Sequence, residues 1–166
     1  MLPPALICTW GNLASIAALN RENVLTNIQW ADLFPEVDPA AEISKGQGVL
    51  VRTSISGIVY NTDIIDSKSA PASYDDLVDP EKSKAWKGRL AAPPYHDWLA
   101  AQSLVRPREE LVEYAQKVAS QVSGVLRYGE EERVVSGEFA VMASTGDAPG
   151  YTALWKRRGA PLDFVI

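Results

Sequence analysis

The chain has 166 residues, of which 46% are hydrophobic, and its formal net charge is -5. One globular domain is expected at this length, because domains hold roughly 100 to 200 residues and this apolar content suffices for a core. The acidic balance and the scattered lysines and arginines disfavour a nucleic-acid surface, which needs a basic face. A single cysteine, Cys8, and a single histidine exclude an internal disulfide and a metal cluster of thiolates and imidazoles.

The chain carries no stretch of about 18 apolar residues that would predict a membrane helix. Its first four residues, Met-Leu-Pro-Pro, lack the basic region that opens a secretory signal peptide. We therefore expect no signal peptide within this sequence.

Strands are predicted mainly in the second part of the chain. The first 48 residues have no clear period apart from a possible helix over Leu13–Leu19. From Val49 onward, short apolar runs alternate with helical patterns, which is typical of an α/β sheet. The predicted strands are Val49–Thr53, Leu90–Ala92, Phe139–Ala143 and Leu162–Ile166.

Three helices are predicted between and after these strands. Pro107–Val122 carries apolar residues at a spacing of 3.6, which defines one buried stripe. Glu130–Ser136 is ended by Gly137, and Pro149–Arg158 is ended by Gly159. The expected fold is a three-layer α/β structure, with a mostly parallel central sheet and helices on both faces.

Four short motifs follow one another in a characteristic order. They are Gly57-Ile58-Val59-Tyr60-Asn61, Pro71-Ala72-Ser73-Tyr74-Asp75-Asp76-Leu77, Trp86-Lys87-Gly88 and Gly137-Glu138. In order and spacing, the chain resembles the extracellular solute-binding proteins of ABC importers, in the polyamine, iron and phosphonate-like branches. The resemblance covers roughly residues 31 to 166.

The resemblance implies a location and partners. Proteins of this family are two-lobed clamps, so the chain is expected to supply one lobe of a type II-like periplasmic binding protein. Residues 49–166 would form that lobe and residues 1–48 a segment from the inter-lobe region. The resemblance also implies a periplasmic or cell-surface location, a small polar solute, an ABC permease as partner and no cofactor. The second lobe and the export signal would lie outside this sequence, and an exposed inter-lobe surface would favour a homo-oligomer.

Several residues of the motifs are expected to serve the scaffold. Tyr60 combines an apolar ring with a polar tip, and the Asn61 amide can close a turn. The hydroxyl of Ser73 is expected to cap a helix whose first turn carries two aspartates. Trp86 is expected to pack.

Ligand groups are expected where polar residues follow predicted strands, because ligands bind beyond the carboxyl ends of strands in open α/β sheets. Ordinary polar loops are the alternative interpretation of these segments. The candidates are Arg52, Thr53, Ser54 and Ser56, then Tyr95, His96 and Asp97, and finally Ser144, Thr145 and Asp147.

The charges of these candidates leave the class of solute open. Arg52 can hold a carboxylate or phosphonate, whereas Asp97 or Asp147 suits an ammonium. Asp147 can equally cap the helix that begins at Pro149. The iron-binding branch uses adjacent tyrosines as ligands, and the absence of such a pair from this sequence disfavours iron.

Enzymatic and metal-binding motifs are absent from the sequence. It has no Gly-x-Ser-x-Gly elbow, no Walker loop and no Gly-x-Gly-x-x-Gly motif. A triad of Ser144, His96 and Asp97 has no special geometry to support it. We therefore predict no catalytic residue, no metal site and no enzyme, and keep a small flavodoxin-like enzyme or a stand-alone regulatory domain as the alternative.

Overall fold

The computed structural model describes residues 13–53, 55–95, 97–127, 129–144 and 148–166. The chain divides into two compact units, Met1–Thr53 and Ser54–Ile166. The division predicted between residues 48 and 49 stays a prediction.

The first unit contains two helices, α1 (Leu13–Arg21) and α2 (Trp30–Leu33), and a hairpin of β1 (Glu42–Ile43) and β2 (Gly48–Val49). The indole nitrogen of Trp30 donates to the carbonyl of Gly46 at 2.9 Å and so ties α2 to the hairpin turn. The predicted strand Val49–Thr53 is wrong beyond its first residue, because residues 50–53 are irregular and exposed. In the described structure, the pairing of β1 with β2 ends at Val49, before this stretch begins.

The second unit contains a five-stranded sheet in the order β5-β4-β6-β3-β7. β5 and β6 both run parallel to β4, while β3 is antiparallel to both β6 and β7. Four strands therefore point in one direction, and β3 alone runs against them. The strands are β3 (Gly57–Asn61), β4 (Leu90–Ala92), β5 (Val122–Val125), β6 (Val141–Ser144) and β7 (Leu162–Val165).

Helices cover both faces of this sheet, which confirms the predicted α/β class. Alternate residues of each strand point to opposite faces, so Ile58 and Val59 belong to different hydrophobic clusters. The first face packs against α3 (Asp97–Gln102), α4 (Arg108–Gln121) and two short 3-10 helices, Tyr74–Leu77 and Lys82–Trp86. The second face packs against α5 (Glu132–Val135) and α6 (Ala148–Arg157).

The three predicted helices are confirmed as α4, α5 and α6, with bounds that differ by up to two residues. Gly137 and Gly159 have φ of 80° and 86°, the left-handed conformation that ends a helix. Two strands were not predicted. The predicted helix Pro107–Val122 included only the first residue of β5, and the Gly57–Asn61 motif is itself a strand.

Asn61 is a structural residue, as predicted. Its side chain is 2% exposed and its Nδ2 donates to the carbonyls of Val134 at 2.7 Å and Val135 at 3.2 Å. Its Oδ1 accepts from the N–H of Asp63 at 2.9 Å, which closes the turn after β3. The last residue of β3 is thereby connected to the end of α5.

The predicted helix cap at Ser73 is wrong, because the Ser73 side chain makes no capping hydrogen bond. Asp76 orders this turn instead: its Oδ2 accepts from the N–H of Ala72 and from Nζ of Lys82, both at 2.7 Å. Burial tends to raise the pKa of Asp76, but the hydrogen bonds from Lys82 and Ala72 outweigh it and hold the pKa below its usual value.

Asp76 is expected to make part of the folding stability depend on pH. A carboxyl whose pKa is lowered on folding stabilises the protein above its unfolded pKa of about 4, and this contribution is lost as the pH falls. Asp76→Asn should therefore lower the free energy of unfolding by about 1.5 kcal/mol at pH 7. Between pH 6 and pH 3, the variant should lose less of its free energy of unfolding than the wild type. Urea unfolding of the wild type and the variant at pH 6 and pH 3 measures this difference in pH dependence. Lys82→Met should show part of the same effect. Identical pH dependence in wild type and Asp76→Asn would contradict this role.

Candidate functional site

The direction of β3 brings its start to the edge at which the other strands end. Gly57, the first residue of β3, lies opposite Ser144, the last residue of β6. Residues that precede β3 therefore share an edge with residues that follow β4 and β6. We call this the carboxyl edge, formed by Ser56–Gly57, Pro93–Tyr95 and Ser144.

A topological switch point lies at this edge between the neighbouring strands β4 and β6. The chain leaves β4 into α3 and α4 on the first face, and leaves β6 into α6 on the second face. The two connections therefore diverge at the ends of neighbouring strands, an arrangement that forms a crevice in open α/β sheets. Ligands of open α/β sheets bind in such crevices.

Some of the predicted site residues lie at the carboxyl edge. Ser56 is half-buried, Tyr95 is 41% exposed and Ser144 is 5% exposed. Asp97 is the first residue of α3, which follows β4. Ser54, His96, Thr145 and Asp147 lie outside the described residues.

Arg52 and Thr53 belong to the other unit, where they lie in the exposed irregular stretch after β2. Their predicted position at the end of a sheet strand is not observed. Their role in binding stays a prediction.

Two aromatic residues support the carboxyl edge and were not predicted as part of the site. The Tyr74 hydroxyl lies 3.1 Å from the carbonyl oxygen of Gly57 and 3.4 Å from that of Ser144. The ring of Tyr74 stacks on Trp98, with centroids 6.0 Å apart and an interplanar angle of 23°. Tyr74 follows the motif serine, but its reach to β3 and β6 could not be predicted from sequence spacing.

The described side chains of the carboxyl edge are neutral. Ser56, Tyr95 and Ser144 offer hydroxyl groups, which can donate and accept hydrogen bonds. No group of three or more His, Cys, Asp or Glu residues that could hold a metal ion occurs in the described parts of the chain. The described groups therefore suit hydrogen bonding to a polar molecule.

A cleft lies at the opposite edge of the sheet. It is lined by Ser120–Ser123 and by Pro80, Ser83, Lys84, Trp86, Lys87 and Gly88. Gly88 precedes β4 and Ser123 belongs to the start of β5, so this cleft is at the amino ends of the parallel strands. The switch point is at the other end of these strands.

Solved structures share the fold of this chain. Iron-bound HitA from Pseudomonas aeruginosa superposes with a TM-score of 0.69 at 21% identity, over 89% of this chain and 48% of that one. The ferric binding protein from Campylobacter jejuni gives a TM-score of 0.69 at 16% identity, over 92% and 51%. The fold is that of the type II periplasmic binding proteins.

A third similar structure is the spermidine/putrescine ABC transporter substrate-binding protein PotD from Streptococcus pneumoniae. Its TM-score is 0.56 at 16% identity, over 91% of this chain and 50% of that one. The chain thus spans about half the length of each of these three proteins. By sequence, no protein-family model and no curated protein matches it. Among the described residues, no helix is long and apolar enough to cross a membrane.

Proposed function

We propose that this chain supplies one lobe of the solute-binding component of an ABC importer. The observation that supports this proposal is the switch point at the carboxyl edge, in a fold shared with about half of each similar binding protein. The second lobe would face this edge, and a small polar solute would bind between the two. The intact protein would be periplasmic or extracellular and would deliver the solute to an ABC permease.

Binding would act through closure of the two lobes. A solute that contacts both lobes binds the closed state more tightly than the open one and shifts the population towards it. No bond is broken in this process, so the proposal needs no catalytic residue.

The candidate groups leave two classes of charged solute open. Arg52 would favour a carboxylate or phosphonate, and Asp97 or Asp147 an ammonium. Ser54, Ser56, Tyr95, His96, Ser144 and Thr145 would add neutral hydrogen bonds. HitA is an iron-bound protein, but iron is disfavoured here because the sequence lacks an adjacent pair of tyrosines.

The flavodoxin-like alternative is disfavoured by β3. If β3 is left out and the other four strands of the sheet are renumbered in chain order, the sheet order is 2-1-3-4, as in flavodoxin-like folds. In this chain an antiparallel strand lies between the third and fourth of them. The same insertion brings Ser56 and Gly57 to the carboxyl edge.

A single lobe is expected to bind solute weakly. It keeps about half of the contacts and cannot close, so the dissociation constant should be about millimolar, roughly -4 kcal/mol. We would titrate the chain with spermidine, phosphonoacetate and citrate and follow backbone amide resonances. A ligand should shift the amides of Ser56, Gly57, Tyr95 and Ser144, while Ser123 at the opposite edge serves as the control.

Two results would contradict the proposal. If none of these ligands shifts the carboxyl-edge amides, or if the shifts cluster around Ser123, the edge is not a solute site. If a ligand binds with micromolar affinity, the chain holds a complete site and the half-site interpretation is wrong.

A further inference from the structure

The hydroxyl of Tyr74 contacts two strands that end at the carboxyl edge. Tyr74 lies in a 3-10 helix outside the sheet, yet its oxygen is 3.1 Å from the Gly57 carbonyl and 3.4 Å from the Ser144 carbonyl. A hydroxyl has one proton, so it donates to one of these oxygens at a time, and Gly57 is nearer. The start of β3 and the end of β6 therefore share one donor.

The ring of Tyr74 contacts a third segment of the same edge. It stacks on Trp98, which is 3% exposed and is the second residue of α3. Since α3 follows β4 after only a few residues, this contact fixes the point at which the chain leaves β4. Offset aromatic pairs at such distances contribute beyond their buried area.

The backbone of Tyr74 is held by a residue of α4. The Tyr114 hydroxyl donates to the Tyr74 carbonyl at 2.7 Å. The guanidinium of Arg106 lies 4.5 Å from the centre of the Tyr114 ring and pairs with Asp75, the neighbour of Tyr74. The backbone of Tyr74 is thus anchored to α4 independently of the carboxyl edge.

The Tyr74 side chain packs against the hydrophobic cluster on the first face of the sheet. Burial raises the pKa of Tyr74 to about 12, so the hydroxyl stays protonated and remains a donor at neutral pH. A phenylalanine ring would fill nearly the same volume. The hydroxyl is therefore best explained by its contacts with the two strand ends.

We infer that Tyr74 is a positioning residue for the carboxyl edge: its hydroxyl holds β3 against β6, and its ring holds the start of α3. The three segments of the proposed solute site would thereby keep their spacing. That it positions a solute site rests on the proposed function, whereas its effect on the edge can be measured without solute.

The test compares Tyr74→Phe with the wild-type chain by amide hydrogen exchange. In this variant the hydroxyl that bonds the Gly57 or Ser144 carbonyl is missing, so local opening of the edge costs less free energy. Hydrogen exchange of the Gly57 and Ser144 amides should therefore accelerate about tenfold. Exchange in the central part of β4 and in α4 should change by less than about twofold. Ser123→Ala is the matched control, because Ser123 Oγ donates to the Leu90 carbonyl at 3.0 Å at the opposite edge. It should leave Gly57 and Ser144 unchanged.

A second arm tests the link to solute. If spermidine, phosphonoacetate or citrate binds the wild type at the carboxyl edge, Tyr74→Phe should weaken that binding about fivefold, and Ser123→Ala should not. Unchanged affinity, or exchange that accelerates uniformly or not at all, would overturn the inference. If no ligand binds the wild type, the proposed function fails, and hydrogen exchange alone decides the positioning role.

Discussion

Replacing Asn61 with alanine is expected to lower the free energy of unfolding by about 3 kcal/mol, the larger of the two main effects predicted here. The substitution removes a buried amide that donates to the carbonyls of Val134 and Val135 and accepts from the N–H of Asp63. The Val134 carbonyl keeps the N–H of Gly137 at 3.1 Å but loses the Asn61 amide, in a region that water cannot readily reach. Each of the hydrogen bonds removed contributes about 0.5–1.5 kcal/mol. The space left by the side chain adds to this cost.

Urea unfolding of the chain measures this effect, and Asp66→Ala provides the control. Asp66 also accepts from backbone N–H groups two and three residues on, Lys68 at 2.8 Å and Ser69 at 2.9 Å, but it is exposed. Water can replace an exposed partner, so this variant should lose less than about 1 kcal/mol. Equal losses in Asn61→Ala and Asp66→Ala would show that burial of the Asn61 bonds contributes little.

The helices could be predicted because their sequence signals are local. The apolar spacing of α4 and the glycines after α5 and α6 depend on residues within one or two turns. The boundary between α4 and β5 could not be predicted in this way. Val122 completes the apolar stripe of the helix and also begins the strand, and the Ser123 and Gly124 that follow lie inside β5 and not in a loop between the two elements.

The carboxyl edge was predicted in part for the wrong reason. Ser56 was expected to follow a strand, whereas it precedes β3. It nevertheless lies at the predicted edge because β3 runs against the other strands, so that its start lies beside the end of β6. Strand direction depends on pairing between segments more than 80 residues apart along the chain, which a local pattern does not contain.

The support beneath the edge was missed for a similar reason. Tyr74 was only part of a motif and Trp98 was not among the predicted site residues, since their spacing in the sequence does not reveal a mutual contact. Tyr74 stacks on Trp98, and its hydroxyl contacts the Ser144 carbonyl, because α3 and the 3-10 helix Tyr74–Leu77 both pack on the first face of the sheet. Packing of segments distant in sequence therefore determines the part of the site that sequence patterns cannot predict.

Gly57→Ala is expected to destabilise the chain by about 2–3 kcal/mol, because β3 and β7 approach too closely at this position for a side chain. A Cβ added to Gly57 would lie well inside contact distance of the Val165 carbonyl oxygen. That oxygen belongs to the backbone of the edge strand β7, so relief requires the strand itself to move. The pairing of Ile58 with Val165 would be disturbed first.

Gly150→Ala is the matched control for this substitution, with an effect of opposite sign. Gly150 lies in α6, and a Cβ added there meets no atom within 4 Å in the described structure. Alanine in a helix is more favourable than glycine by up to about 1 kcal/mol, so this variant should be slightly more stable than the wild type. Chemical unfolding of both variants measures the contrast. If Gly57→Ala stays within about 0.5 kcal/mol of the wild type, the usual range for an exposed substitution, the close approach of β7 does not restrict this position.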